Sequence, residues 1–137
     1  MGLLALGINH KTASLELREK VAFTPERLEA ALREACANAG VQELAILSTC
    51  NRTEFYGQVP ENGGDALLSW LSQYQQLPLS DISASLYRHE GEAAVRHMMR
   101  VAAGLDSMVL GEPQILGQVK TAYSQAAAAG TLGPELE

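Results

Sequence analysis

Basic side chains are scarce in this sequence: ten Lys and Arg stand against sixteen Asp and Glu, for a formal net charge of −6. A protein that grips nucleic acid along its length relies on cations that displace counterions from phosphates, and this balance argues against that mode. Any contact with RNA has to be local. Long apolar runs are missing too. The two strongest, Leu3 to Ile8 and Leu44 to Leu47, fall far short of the roughly 20 residues that cross a bilayer. No basic segment with a long apolar stretch precedes them, so a soluble, cytosolic protein is expected. Cysteine is nearly absent. Cys36 and Cys50 form neither a CxxC pair nor a disulfide framework, which leaves each as a core filler or a catalyst. The histidines, His10, His89 and His97, lack metal-ligand spacing, and no repeat or biased tract occurs beyond the short run Ala126 to Ala129. What remains, 137 residues that are 47% apolar, suffices for one domain whose core needs no disulfide or metal.

Leu3 to Ile8 reads as a buried strand, and Gly7 within it points to a close approach by another part of the chain. Asn9-His10-Lys11-Thr12 makes a polar turn at the strand end, a place that suits a functional group as well as plain solvation. Leu15 to Val21 fits a short helical turn. Thr24 as a cap, Pro25 at the first helical position and Glu26 in the first turn open a longer helix. Its Leu28, Leu32, Ala35, Cys36 and Ala39 recur at helical spacing until Gly40, which makes Cys36 a buried, inert thiol. Val41 to Ser48 returns to strand, and Glu54 to Val59 alternates, with Phe55 facing one way and Tyr56 the other. After a loop over 60–64, Asp65 caps a helix carrying Leu67, Leu68, Leu71 and Tyr74, which ends before Leu77-Pro78.

Ser85 to His89 is a short strand. A helix from Glu90 to about Ala103 follows, with His97 on the edge of its apolar arc. Gly111-Glu112-Pro113 opens a last helix with Ile115, Leu116, Val119, Ala122, Tyr123 and Ala126 on one side. Strand, helix, strand, strand, helix, strand and two helices predict an α+β fold: a ferredoxin-like, split βαβ antiparallel sheet with helices on one face and extra C-terminal helices.

Chemistry centres on Ile46-Leu47-Ser48-Thr49-Cys50-Asn51-Arg52-Thr53-Glu54. A rigid strand delivers Cys50 into a polar turn with a guanidinium two residues on, the electropositive and partly open setting that favours a thiolate. Cys50 therefore reads as a nucleophile, although a cysteine that merely ends a buried strand is the bland alternative. Arg52 would grip a substrate carboxylate, or else be a solvated surface charge. His97 could shuttle a proton or polarise a carbonyl. The segment from Gly104 to Gln114 offers hydrogen-bonding side chains and a helix start, features that suit either an anion or ordinary capping.

Three stretches carry a resemblance: Gly7-Ile8-Asn9-His10-Lys11-Thr12, Leu47 through Glu54, and Arg96-His97 through Gln118-Val119-Lys120. Together they are similar to the N-terminal catalytic domain of the glutamyl-tRNA reductase family, and the likeness covers nearly the whole chain. The resemblance implies an oxidoreductase of tetrapyrrole (porphyrin) biosynthesis. In it Cys50 attacks the ester of glutamyl-tRNA(Glu), forms a thioester and releases the tRNA, and NADPH then reduces the thioester to glutamate-1-semialdehyde. It implies Cys50 and His97 as catalytic residues. Thr49, Cys50, Asn51 and Arg52 would bind substrate, with Ser107, Glu112, Pro113, Gln114 and Gln118 as a second substrate-binding segment.

It further implies a homodimer in the full-length enzyme, the downstream aminomutase as a further partner, and no membrane or metal. One departure stands out: no GxGxxG-type turn occurs in the sequence. Residues 1–130 are therefore expected to be the thioester-forming domain, and 131–137 a tail or the start of a linker to NADPH-binding and dimerisation domains outside this chain. NADPH is expected not to bind here. Two other readings stay open, a non-catalytic ferredoxin-like interaction module and a thiol-dependent esterase or acyltransferase.

Overall fold

The computed structural model describes residues 2–49, 51–60, 63–102, 122, 124, 126–128, 130 and 131. Its elements run β1 (Gly2–Asn9), α1 (Leu15–Val21), α2 (Pro25–Asn38), β2 (Glu43–Ser48), β3 (Arg52–Val59), α3 (Gly63–Tyr74), α4 (Leu79–Ser83), β4 (Tyr87–Glu90) and α5 (Glu92–Ala102). The sheet order is β2-β3-β1-β4, with every neighbouring pair antiparallel. This is the ferredoxin-like arrangement that the sequence predicts. β3 lies between β2 and β1, and both crossovers carry helices.

Local chemistry accounts for the helix starts. Ser14 precedes α1 and its Oγ accepts from the Leu17 N–H at 3.2 Å. Thr24 holds the N-cap position of α2 without a side-chain bond, so Pro25 and the backbone, not the Thr24 hydroxyl, set that start. α2 is capped by Ala39 and followed by Gly40, whose φ of +70° is a left-handed conformation that glycine adopts without strain. Two expectations need adjustment here. α3 begins two residues before Asp65, which is not its cap but a first-turn residue paired with Arg88 at 3.0 Å. α4, a five-residue helix after Pro78, has too little sequence for periodicity to reveal it.

Strand alternation sorts the side chains into two layers. Leu4, Leu6 and Ile8 of β1, Leu44 and Ile46 of β2, and Phe55 and Val59 of β3 join one core with Leu28, Leu32 and Ala35 of α2 and Leu67 and Leu71 of α3. Phe23 meets Phe55 edge-on at 6.0 Å, and Trp70 stacks on Tyr74 at 4.8 Å. Cys36 is half-buried against this core, and burial raises the pKa of its thiol.

The other layer holds Ala5, Leu47 and Tyr56 with Ala94 and Val101 of α5 and Ala122. The C-terminal extension therefore covers the face that α2 and α3 leave bare. Thr131 docks on β2, its carbonyl accepting from the Leu44 N–H at 2.8 Å and its hydroxyl donating to the Leu44 carbonyl at 2.7 Å. That contact covers part of a sheet edge. Among the described residues, no helix is long and apolar enough to cross a membrane.

Candidate active site

Position 2n of β3 decides the site. Arg52, Glu54 and Tyr56 alternate onto the face that α5 covers, while Phe55 and Val59 take the opposite core. Putting a guanidinium and a carboxylate on a covered face requires that each be paired. Arg52 is 2% exposed and Glu54 0%, and they meet at 3.3 Å through Arg52 Nη1 and Glu54 Oε1. The Tyr56 hydroxyl donates to the same oxygen at 2.6 Å. On the other side, Oε2 accepts from the Tyr87 hydroxyl at 2.6 Å and from His97 Nε2. Four donors thus fill the acceptor positions of one carboxylate.

Gly7 makes this geometry possible. It sits in register with Glu54 of β3 on one side and Tyr87 of β4 on the other. A Cβ there would collide with the Thr53 carbonyl and the Glu54 side chain. The close approach anticipated at Gly7 is therefore that of β3, and the bare backbone opens a path for the Glu54 side chain toward β4 and α5.

Charge follows from these contacts. Burial by itself would raise the pKa of Glu54, but the hydrogen bond from His97, with Arg52 and the Tyr56 hydroxyl, outweighs it and holds the carboxyl below its ordinary value. Glu54 is then an anion at neutral pH and can only accept, so the hydrogen between it and His97 belongs to Nε2. Nδ1 is the nitrogen left for a reacting group. Burial first, and then the Glu54 charge, push the Tyr56 phenol well above its usual range.

His97 is 8% exposed, deeper than a residue on the edge of an apolar arc would be. The reason is the buried anion that receives it. Its ring stacks on His89 at 4.5 Å and lies 5.3 Å from Tyr87. Both neighbours come from β4, whose alternation sends residues 87 and 89 to the same face. A cavity of about 400 Å³ opens beside His97, lined also by Asn9, Lys11, Thr12, Tyr87, His89, Ala93, Arg96 and Arg100. The turn after β1 is fixed by Asn9, whose Oδ1 accepts from the N–H groups of Lys11 at 2.9 Å and Thr12 at 3.2 Å. It presents Lys11 and Thr12 to the cavity.

The β2–β3 connection is equally defined on its described side. The Thr49 N–H donates to the Arg52 carbonyl at 2.7 Å, and Thr49 Oγ1 accepts from the N–H groups of Asn51 at 3.1 Å and Arg52 at 3.2 Å. Thr49 and Asn51 are half-buried. Ser48 Oγ accepts from the Phe23 N–H at 3.0 Å and pairs with Thr53 Oγ1 at 3.1 Å, which ties the hairpin end to the α1–α2 link. Arg52 is no solvated surface charge. Cys50 lies outside the described residues, as do Ser107, Glu112, Pro113, Gln114 and Gln118.

A family model described as "Glutamyl-tRNAGlu reductase, N-terminal domain" matches residues 6–137. The chain belongs to this family. Curated glutamyl-tRNA reductases of Pseudomonas syringae pv. syringae and Pseudomonas savastanoi pv. phaseolicola are each 60% identical over 136 residues, which is 99% of this chain and 32% of theirs. The solved glutamyl-tRNA reductase of Methanopyrus kandleri superposes with a TM-score of 0.80 at 36% identity, over 98% of this chain and 30% of that one. The chain thus spans about a third of the length of its reductase relatives.

Glu54, Tyr56, Tyr87 and His89 gather around His97 in the structure, and the sequence reading left them without a role. One signal was present: a strand that alternates Arg52, Glu54 and Tyr56 against Phe55 has polar groups on a face that must also be covered. Among the described residues, no three His, Cys, Asp or Glu side chains are grouped to hold a metal ion.

Proposed function

We propose that this chain is the thioester-forming domain of a glutamyl-tRNA reductase, with residues 1–130 as the catalytic unit. The observation that carries the reading is the buried Glu54 carboxylate on His97 Nε2, at the floor of a cavity. It lies on the strand that leaves the Cys50 turn. A histidine so held has one fixed tautomer, and its other nitrogen can take and return a proton.

His97 Nδ1 takes the Cys50 thiol proton, and Sγ attacks the carbonyl carbon of the glutamyl ester. The imidazolium formed is stabilised by Glu54, as a buried carboxylate stabilises the histidine of a hydrolase triad. The tetrahedral adduct collapses, the bond from the acyl carbon to the ribose oxygen breaks, and that oxygen recovers the proton from Nδ1. A thioester and a free tRNA end remain. Glu54 is a positioning residue in this scheme. Arg52 shares its charge with Glu54 in the site interior and, with Thr49, Asn51, Ser107, Glu112, Pro113, Gln114 and Gln118, belongs to the proposed substrate-binding set.

We place NADPH outside these residues. A dinucleotide sits on a glycine-rich turn after a strand of a parallel sheet, whereas every strand pair here is antiparallel and the turn after β1 is Asn9-His10-Lys11-Thr12. Reduction to glutamate-1-semialdehyde is assigned to the whole protein, a cytoplasmic homodimer that delivers its product to the downstream aminomutase.

The test is acylation. The chain is incubated with charged glutamyl-tRNA and examined by mass spectrometry for a glutamyl group on Cys50, with Cys50→Ser as control. Absence of the adduct, or equal labelling of the control, would remove the proposal.

A further inference from the structure

His97 leans on a ring that the acyl-transfer step leaves without a task. A side chain on a helix lies over the turn that precedes it, and one turn before His97 on α5 stand Ala93 and Ala94. Their methyl groups offer no flat surface to an imidazole. Support comes from β4 instead. The half-buried His89 ring stacks on the His97 ring with centroids 4.5 Å and planes 24° apart, whereas the Tyr87 ring meets it at 5.3 Å and a steep 56°. Ala5 and Gly7 stand opposite His89 and Tyr87 in β1, so that strand puts no bulky side chain in register beside either ring.

Two contacts hold His97 in different ways. Nε2 is tied to Glu54, whose Oε2 also accepts from the Tyr87 hydroxyl at 2.6 Å. Cβ is tied to α5. A ring held at those two ends can still rock about the line that joins them, and rocking swings Nδ1, the nitrogen that takes the proton, away from its direction. The hydrogen bond resists this weakly, because its donor atom lies on the axis and hardly moves. A second ring laid against the first resists it directly, since a tilt either drives ring atoms together or opens a gap and loses their contact. His89 occupies that place.

We propose that His89 is a positioning residue for acyl transfer: its ring, stacked on His97, keeps Nδ1 aimed at the thiol while Glu54 and Tyr87 hold the opposite nitrogen. That role rests on the acyl-transfer reading above. It gives His89 no proton to carry, so a ring without nitrogen should serve.

The test compares His89→Ala, His89→Leu and His89→Phe with the parent chain. Rates of Cys50 acylation are followed across a range of charged glutamyl-tRNA concentrations. A misplacement of 1 Å is worth about 100-fold and a tethered ring that rocks strays less, so His89→Ala should lower the saturating rate about ten-fold with the half-saturating concentration unchanged. His89→Leu fills the space without a flat face and should behave like His89→Ala, which keeps the comparison available where the alanine chain folds poorly by circular dichroism. His89→Phe should recover most of the rate. Carbon-13 relaxation of the His97 ring C–H groups reports motion on the ps–ns scale, and it should show a looser ring in the alanine and leucine chains alone.

Equal saturating rates in every chain overturn the proposal, and so does unchanged ring relaxation in the alanine and leucine chains. A phenylalanine chain as slow as the alanine one would make His89 a proton carrier. A raised half-saturating concentration at an unchanged saturating rate would make it a substrate contact. Either result removes the positioning role. A parent chain that forms no adduct removes the acyl-transfer reading and this role together, whereas an adduct formed at one rate by every variant removes this role alone.

Discussion

A Cβ built on Gly7 would lie 2.9 Å from both the Cα and the Cγ of Glu54. The side chain that organises the site therefore runs over a residue that has none. Gly7→Ala forces β1 and β3 apart or displaces Glu54, and overpacking of this kind costs about 1–3 kcal/mol. Gly2 belongs to the same strand, and nothing lies within 4 Å of a Cβ there. Urea denaturation should show a lowered midpoint for Gly7→Ala and an unchanged one for Gly2→Ala. Equal midpoints would mean that the strand contact is not limiting.

Glu54→Gln keeps the shape of the side chain and removes its charge. Arg52 is then buried beside a neutral amide, and loss of one partner of a buried pair typically costs about 3–5 kcal/mol. The variant should unfold at markedly lower denaturant. A midpoint within error of the parent would show that the four donors around the carboxylate hold one another without it.

Acid should act through the same group. The folded state holds the Glu54 carboxyl below its ordinary pKa, so the fold binds that proton less readily than the unfolded chain does. The stabilisation is present above the unfolded value of about 4.3 and is lost as pH falls through the folded value. Denaturation midpoints between neutral and acid pH should decline less steeply in Glu54→Gln than in the parent. Parallel declines would assign acid sensitivity to other carboxylates.

Tyr56 has the opposite sign. Its folded pKa is raised by burial and then by Glu54, so its stabilisation is complete below the unfolded value of about 10 and is lost at higher pH. Tyr56→Phe should remove this alkaline decline. At neutral pH it should cost about 1.5–3 kcal/mol, the range for a hydrogen bond to a charged group. Spectrophotometric titration of the phenols checks the assignment.

In Cys50→Ser the remaining thiol is Cys36, half-buried and with a raised pKa. Iodoacetamide at pH 7 should modify it more slowly than a cysteine in a short peptide. Modification at the peptide rate would contradict the packing of α2.

Much of the fold was legible because strong local signals agreed with one another. Pro25 and Gly40 punctuate α2, and alternation in β3 marks its two faces. The β4 strand was legible within two residues, since it is held mainly by pairing with β1. What escaped is what depends on distance along the chain. Glu54 looks like an ordinary acidic strand residue until positions 87 and 97 are brought to it, and no spacing rule connects them. The depth of His97 escaped for the same reason: periodicity places a side chain on a helix face but does not reveal a buried anion beneath it. The role of Gly7 was half-readable, as a close approach without the identity of what approaches.

The four donors around Glu54 come from β3, β4 and α5, and this has a kinetic corollary. The β2–β3 hairpin can form early from neighbours in sequence and brings Arg52 and Tyr56 to Oε1, but closing its inner face before residues 87 and 97 arrive would leave Oε2 away from water with no donor. Docking of the last strand and helix is thus the step at which desolvation becomes tolerable. A nascent chain still lacking them should keep that face hydrated, so the carboxylate cluster would be completed only at the end of the folding route.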